Sequence, residues 1–167
     1  LDEMMSDSLL TAYHLYQQAE YEQAYPYALQ SAEQLSERAD VWSLLGVLER
    51  KLGRNDAAIC CQRKAIALNP AYAEAYNNLA NLLKDSGEVE EALALYQQAI
   101  KFNPNAHDVQ NNYAGTLQAT GRVQEALQIF NPLMRENPDF VDGHWDYALA
   151  LLLTGQLLEG FQEYEWR

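Results

Sequence analysis

Three histidines, His14, His107 and His144, and two adjacent cysteines, Cys60 and Cys61, are the residues of this sequence best suited to hold a metal or to act as nucleophile and base. Their spacing argues for neither. The histidines stand apart, with no cysteine or carboxylate set around any of them at a recurrent ligand spacing, so surface or packing roles are expected. Neighbouring cysteines on a helix point in different directions, which strains a mutual disulfide, so both read as small buried apolar residues suited to a reducing compartment. Carboxylates come in pairs, Glu90 with Glu91 and Glu163 with Glu165, but general acid catalysis needs a sheltered carboxyl, and an acidic helix surface is ordinarily solvated. No glycine-rich phosphate cradle is present. Residues 1–167 are therefore expected to need no cofactor or metal and to carry no catalytic residue, which leaves open whether a longer protein containing them is an enzyme.

The elements that hold these side chains come from a repeat. Shifting the sequence by 34 residues superimposes Gly53, Gly87, Gly121 and Gly155, and likewise Pro70, Pro104 and Pro138. The same shift stacks Ala58, Ala92, Ala126 and Gly160. Within one period, Tyr76, Leu79, Ala80 and Leu83 recur at helical spacing, Asp85-Ser86-Gly87 breaks the pattern, and Val89, Ala92, Leu93, Tyr96 and Ile100 resume it. The unit is helix, turn, helix. A glycine supplies the positive φ that ends the first helix, and Asn103-Pro104 stops the second. Small residues such as Ala80 and Ala92 let the two helices approach closely. One hairpin cannot bury its apolar face alone, so the expected architecture is all-α: a right-handed α-solenoid of about five stacked antiparallel hairpins forming a single domain. The units run approximately over 5–38, 39–72, 73–106, 107–140 and 141–167, the first set by Ala12 and Ala24 at the small-residue positions. Pro26 is expected near the first turn of its helix, and Pro132 well inside one, where it should kink the chain.

Trp42, Leu45, Gly46, Ala58, Ala65 and Pro70 in one unit, and Tyr76, Leu79, Ala80, Ala92, Tyr96, Ala99 and Pro104 in the next, resemble the tetratricopeptide repeat family. The resemblance implies a protein-binding superhelix with its first helices on the concave side. Gln110 and His144 depart from it where an aromatic is usual, and Glu49 where an apolar residue is usual. The Asn77-Asn78-Leu79-Ala80 stretch, with Asn112 in register, is similar to the repeats that precede the catalytic domain of O-linked N-acetylglucosamine transferases and their bacterial relatives. The last unit, from Ala148 to Gly155 and on through Phe161 to Arg167, looks like the end of bacterial repeats that continue into a glycosyltransferase-like domain.

The residues left for binding are asparagines. Asn77 and Asn81 share a helix face, and the period places Asn111 beside Asn77 and Asn112 beside Asn78. A carboxamide both donates and accepts, so a row of them can hold the backbone of an extended peptide whatever its side chains. Asn77, Asn78, Asn81, Asn111 and Asn112 are the expected peptide-binding residues, with Tyr13, Tyr16 and Trp145 available for stacking at the ends of the groove. The recurring acids Asp40, Glu74, Asp108 and Asp142 read as complements to helix dipoles. At the other end, Leu157, Phe161, Tyr164 and Trp166 form an apolar surface with no following helix, an expected interface for a downstream domain or for a second copy in a homo-oligomer.

Composition closes off other classes. A formal charge of -13 repels nucleic-acid phosphates and anionic lipid. The longest apolar run, Tyr147 to Leu153, is too short to span a bilayer. The acidic start Leu1-Asp2-Glu3-Met4-Met5 does not read as a secretory signal, which suits a cytoplasmic protein. With no initiating Met the chain reads as processed or excised, so an upstream signal stays open. The expected partner is a protein or peptide, with a glycosyltransferase arm and a self-assembly module as the alternatives.

Overall fold

The computed structural model describes residues 7–165; the start of the first unit near Met5, Trp166 and Arg167 lie outside them. Among the described residues ten helices follow one another: α1 Asp7–Gln17, α2 Tyr21–Gln34, α3 Ala39–Lys51, α4 Asn55–Leu68, α5 Ala73–Asp85, α6 Val89–Phe102, α7 His107–Ala119, α8 Val123–Glu136, α9 Val141–Leu153 and α10 Leu157–Tyr164. The all-helical, hairpin-by-hairpin architecture is the one the repeat implies. Two compact bodies meet in sequence at Ser86 and Gly87. In the first, α1 pairs with α2 and α3 with α4, and α5 lies against α3 and α4. In the second, α7 pairs with α8 and α9 with α10, while α6 covers α7.

Each core forms around the small residues of the period. Ala12, Ala24, Ala28 and Val41 are fully buried in the first body, and Ala114, Ala126, Phe130 and Ala150 in the second. An alanine at these crossings keeps the helix axes close, and the larger side chains fill the space on either side.

The hairpin turns share one geometry. Gly53, Gly121 and Gly155 take φ of 76°, 82° and 81°, and the next N–H reaches back five residues, from Arg54 to Glu49 O (2.8 Å), Arg122 to Leu117 O (2.9 Å) and Gln156 to Leu151 O (2.9 Å). This bond satisfies a carbonyl that the ending helix leaves open. In the first hairpin the residue one period before Gly53 is Ala19, which adopts φ 59° and makes the same turn, with Glu20 N bonded to Leu15 O at 2.9 Å. A Cβ in this region costs about 1 kcal/mol or more. Ala19→Gly should therefore raise stability by about 1 kcal/mol less the chain entropy that glycine adds. Gly53→Ala, where nothing lies within 4 Å of an added Cβ, should lower it by about 1 kcal/mol through φ alone. Urea midpoints for the two variants check both signs.

One expectation about proline is corrected. Pro26 is the sixth residue of α2, past the first turn, because the helix starts at Tyr21. It leaves an interior carbonyl without its helical donor, on an exposed face that water can solvate. Pro132 lies well inside α8, Val123–Glu136, as its position in the repeat implies.

The residues that depart from the family's aromatic position keep its chemistry. Trp42 Nε1 donates to Ser36 O (2.8 Å), Tyr76 Oη to Pro70 O (2.9 Å) and Gln110 Nε2 to Pro104 O (2.6 Å). His144 Nε2 lies 2.8 Å from Pro138 O; a carbonyl only accepts, so this nitrogen carries the proton. The position selects an N–H or O–H donor that ties the start of a first helix to the connection before it. Glu49, the other departure, is buried, accepting from Tyr25 Oη (2.8 Å) and Arg54 Nη1 (3.4 Å), whose guanidinium stands 4.7 Å over the Tyr25 ring.

Candidate functional site: a cleft on the first helices

Residues at i, i+3 or i+4 on a helix share one face, and Asp40, Leu44, Val47 and Lys51 on α3 and Glu74, Asn78 and Leu82 on α5 follow that spacing. Together with Tyr13 and Tyr16 of α1 they line two adjoining clefts in the first body. The larger, about 210 Å³, is bounded by Tyr16, Gly46, Val47, Arg50, Glu74 and Asn78 among others. The smaller, about 60 Å³, is bounded by Tyr13, Tyr16, Asp40, Leu44, Val47 and Glu74. Tyr16, Val47 and Glu74 belong to both, so the two are compartments of one groove.

Its polar groups are held in place. Arg38 donates to both carboxylate oxygens of Asp40, from Nη2 at 2.6 Å and Nε at 3.1 Å, and this bond holds the guanidinium pKa above its ordinary value. Tyr72 Oη donates to Glu74 Oε2 at 3.0 Å. Burial pushes the Tyr13 phenol up, with Asp40 and Glu74 adding to it; burial also raises Tyr16, helped by Tyr21 and Glu74. Both phenols therefore remain neutral hydrogen-bond donors above the usual tyrosine range. Arg50 pairs with Asp85 at 2.6 Å and Lys51 stands 5.4 Å over the Tyr21 ring. The groove offers phenol rings, aliphatic floor and charges of both signs within one short stretch.

The asparagines divide. Asn77, Asn78 and Asn81 on α5 and Asn112 on α7 are half-buried, whereas Asn111 is buried. Asn78 Nδ2 donates to Ser43 Oγ of α3 at 3.3 Å, and Asn111 Nδ2 to Asp146 Oδ2 of α9 at 3.1 Å. Both bonds span 35 residues and tie one first helix to the next. Sequence reading anticipated that these amides recur in register and missed this use of them, because a bond between neighbouring repeats needs one residue more than the period that reveals the repeat. Asp40, Glu74, Asp108 and Asp142 each stand in the first turn of a first helix, where a carboxylate meets the positive end of the dipole.

Leu157, Phe161 and Tyr164 on α10 are exposed, and Trp166 lies outside the described residues. Trp145 stacks on Tyr164 with ring centroids 5.1 Å apart. His14 bonds Gln18, and His107 meets the edge of Phe140. The cysteines split: Cys61 is buried and Cys60 exposed, since adjacent residues on α4 face different ways. Burial, with Glu49 and Cys60 adding to it, pushes the Cys61 thiol up to about 11, which leaves little thiolate at neutral pH. Native protein at pH 7.5 should take up one equivalent of iodoacetamide, on Cys60, and a second only in denaturant; mass spectrometry of the labelled peptides checks the assignment. Among the described residues no group of three or more His, Cys, Asp or Glu is placed to hold a metal ion, and no helix is long and apolar enough to cross a membrane.

Residues 85–152 match a family model described as a tetratricopeptide repeat, and residues 46–87 one described as a TPR repeat. Tetratricopeptide repeat protein 8 of Mus musculus is 47% identical over 55 residues, 33% of this chain and 11% of that protein. The chain thus corresponds to a small part of the length of that relative. Among solved structures, Pseudomonas aeruginosa PilF superposes with a TM-score of 0.86 at 21% identity, over 95% of this chain and 72% of that one. MamA gives 0.80 at 18% identity, over 97% and 92%. YrrB, described as a TPR protein with an unusual peptide-binding site, gives 0.71 at 18%, over 91% and 78%. At these identities the structural likeness establishes the fold.

Proposed function

Tetratricopeptide repeats occupy residues 46–152 of this chain, and from that premise we propose that it is a protein-interaction scaffold that lays an extended segment of a partner protein along its first helices. The observation that carries this reading is the groove of the first body, in which three successive first helices contribute to one cleft of about 210 Å³ and its smaller neighbour. Apolar floor at Leu44 and Val47 receives side chains, while Asn77, Asn78 and Asn81 of the same body pair with ligand amides, and Asn112 offers the same chemistry on α7 of the second body. Asn111, buried against Asp146, acts by fixing α9 on α7. A single solenoid of five units over 5–167, in the cytoplasm, completes the proposal.

The test uses peptides of random sequence selected on the chain from a display library. Val47→Glu and Asn77→Ala/Asn81→Ala should each weaken the selected peptides by about tenfold or more, the loss expected when a buried contact is removed, with helical content unchanged. Affinity that survives all of these substitutions would place the ligand elsewhere.

A second reading follows from the resemblance of residues 148–167 to repeats that lead into glycosyltransferases and from the exposed apolar side chains of α9 and α10. In it the same groove recruits substrate for a transferase domain of the same polypeptide. Sequencing the gene past Arg167 decides it: a transferase domain supports the reading and a stop codon removes it.

A further inference from the structure

The smaller compartment of the groove has chemically uneven walls. Leu44, which is buried, and Val47, half-buried, give it an apolar surface; Tyr13 and Tyr16 bound it from α1, and Asp40 of α3 and Glu74 of α5 bring two carboxylates to it. The two acids are one 34-residue period apart, so they hold the same position on helices that pack against each other. With α1 against α3 and α3 against α5, the walls come from three helices of the same body. A volume of about 60 Å³ has room for roughly four water-sized groups, the size of the end of one long side chain.

The charges around it do not cancel. Arg38 is bonded to both oxygens of Asp40, whereas Glu74 has a neutral partner, the Tyr72 hydroxyl at 3.0 Å, and among the described residues no Lys or Arg is paired with it. The phenols report the sign of the resulting field. Burial comes first in raising Tyr13, but Asp40 and Glu74 come next, and each raises it by more than Arg38 lowers it. Tyr72 is raised by burial and then by Glu74, and Tyr16 by burial, Tyr21 and Glu74. A potential that opposes a phenolate favours a cation in the same place. An acidic side chain would be repelled there, and an apolar one would strip water from a carboxylate and give nothing in return. Lysine and arginine join a long aliphatic stem to a cationic head, so the stem can lie on Leu44 and Val47 with the head between Asp40 and Glu74, among rings that attract cations. Glu74 is exposed and Asp40 half-buried, which leaves the head part of its hydration and avoids the desolvation that makes a fully buried ion pair costly.

We propose that the compartment bounded by Tyr13, Tyr16, Asp40 and Glu74 is the specificity pocket of the groove and takes the lysine or arginine side chain of the bound segment. This rests on the reading of the groove as a peptide site and adds a requirement on sequence to it. Carboxamides that hold a backbone accept any side chain; the pocket selects a basic residue at one fixed place in the segment and disfavours an acidic one there.

Peptides selected on the chain from a random display library should carry Lys or Arg at one aligned position. The tightest is synthesised with a fluorophore in three forms, with that residue kept, replaced by methionine, which is long and uncharged, or replaced by glutamate, and binding is read by anisotropy. The basic form should bind about fivefold or more tightly than the methionine form, the gain from a part-exposed ion pair and a ring contact together, and the glutamate form should bind most weakly. Glu74→Gln should bring the basic and methionine forms within about twofold of each other. Asp56→Asn, which removes the same charge from an exposed position on α4 outside the groove, should leave the difference as it was. Val47→Glu separates failure of the pocket from failure of the groove. If it abolishes binding while the native chain holds the basic and methionine forms alike, the groove binds peptides and the pocket assignment falls; if binding survives Val47→Glu, both fall. A library without an aligned basic residue, a preference that survives Glu74→Gln, or one that Asp56→Asn reduces equally, which would be attraction to an acidic protein at large, would each overturn the proposal.

Discussion

Phe130→Ala is expected to destabilise the second body by about 3–5 kcal/mol, whereas Tyr164→Ala, at the same position of the repeat one period later, should cost under about 1 kcal/mol. The side chains are of similar size and the helices of similar type; what differs is the cover. Phe130 is fully buried between α8 and α9, in contact with Tyr147 and within the cluster that holds Leu127, Ala150 and Leu151. Removing its ring opens a cavity that flanking helices, fixed by their own contacts, fill only in part. Tyr164 stacks on Trp145 and is 42% exposed. With total stabilities of about 5–15 kcal/mol usual for a domain, the first substitution should shift the urea midpoint and hydrogen exchange of α8 and α9 by a large fraction. The second should scarcely move them. Equal losses would mean that α10 is covered in the free protein.

The parts of this structure legible from sequence are those that recur. Gly53, Gly87, Gly121 and Gly155 mark the turns because a positive φ excludes most other residues, and the alanines mark the crossings because nothing larger fits. Ala19 shows the limit: the turn geometry is imposed by the hairpin on both sides, so a residue that pays strain there leaves no local signal. The donor position shows a second limit. Trp42, Tyr76, Gln110 and His144 share no shape, only an N–H or O–H that reaches a carbonyl six residues back, and a pattern of shapes reports Gln110 and His144 as exceptions. For the site, spacing placed Asn77 and Asn81 on one face, yet burial separates Asn111 from Asn112 although they are adjacent. The groove itself needed Tyr13, Tyr16, Val47 and Glu74 from three helices to be brought together, which no single period reveals.

Gly46→Ala should destabilise the first body by about 1–3 kcal/mol, although alanine gains roughly 1 kcal/mol of helix propensity over glycine. The register expects alanine here: Ala12, Ala80, Ala114 and Ala148 occupy the equivalent positions. The reason for glycine lies across the hairpin, where Gln62 stands in place of Tyr96 and Phe130. A Cβ at Gly46 would come within 2.6 Å of Gln62 Nε2 and 3.0 Å of Cys61 Cβ. An amide at the end of a side chain can usually swing away, but Gln62 is fully buried, with Oε1 accepting from Ser43 Oγ and Nε2 donating to Ser43 O, each at 3.0 Å. Moving it breaks both bonds inside the core, where each unmet group costs about 1–3 kcal/mol, and also frees Ser43, which Asn78 uses to hold α5. In a Gln62→Ala background the obstacle at 2.6 Å is gone, so Gly46→Ala should cost nothing or stabilise, giving a coupling of at least about 1 kcal/mol in a double-mutant cycle. Additive effects would mean that the glycine is required by Cys61 instead. Because the bonded amide also reaches Asn78 through Ser43, Gly46→Ala should weaken groove-selected peptides, so the first body's core and its groove are expected to fail together.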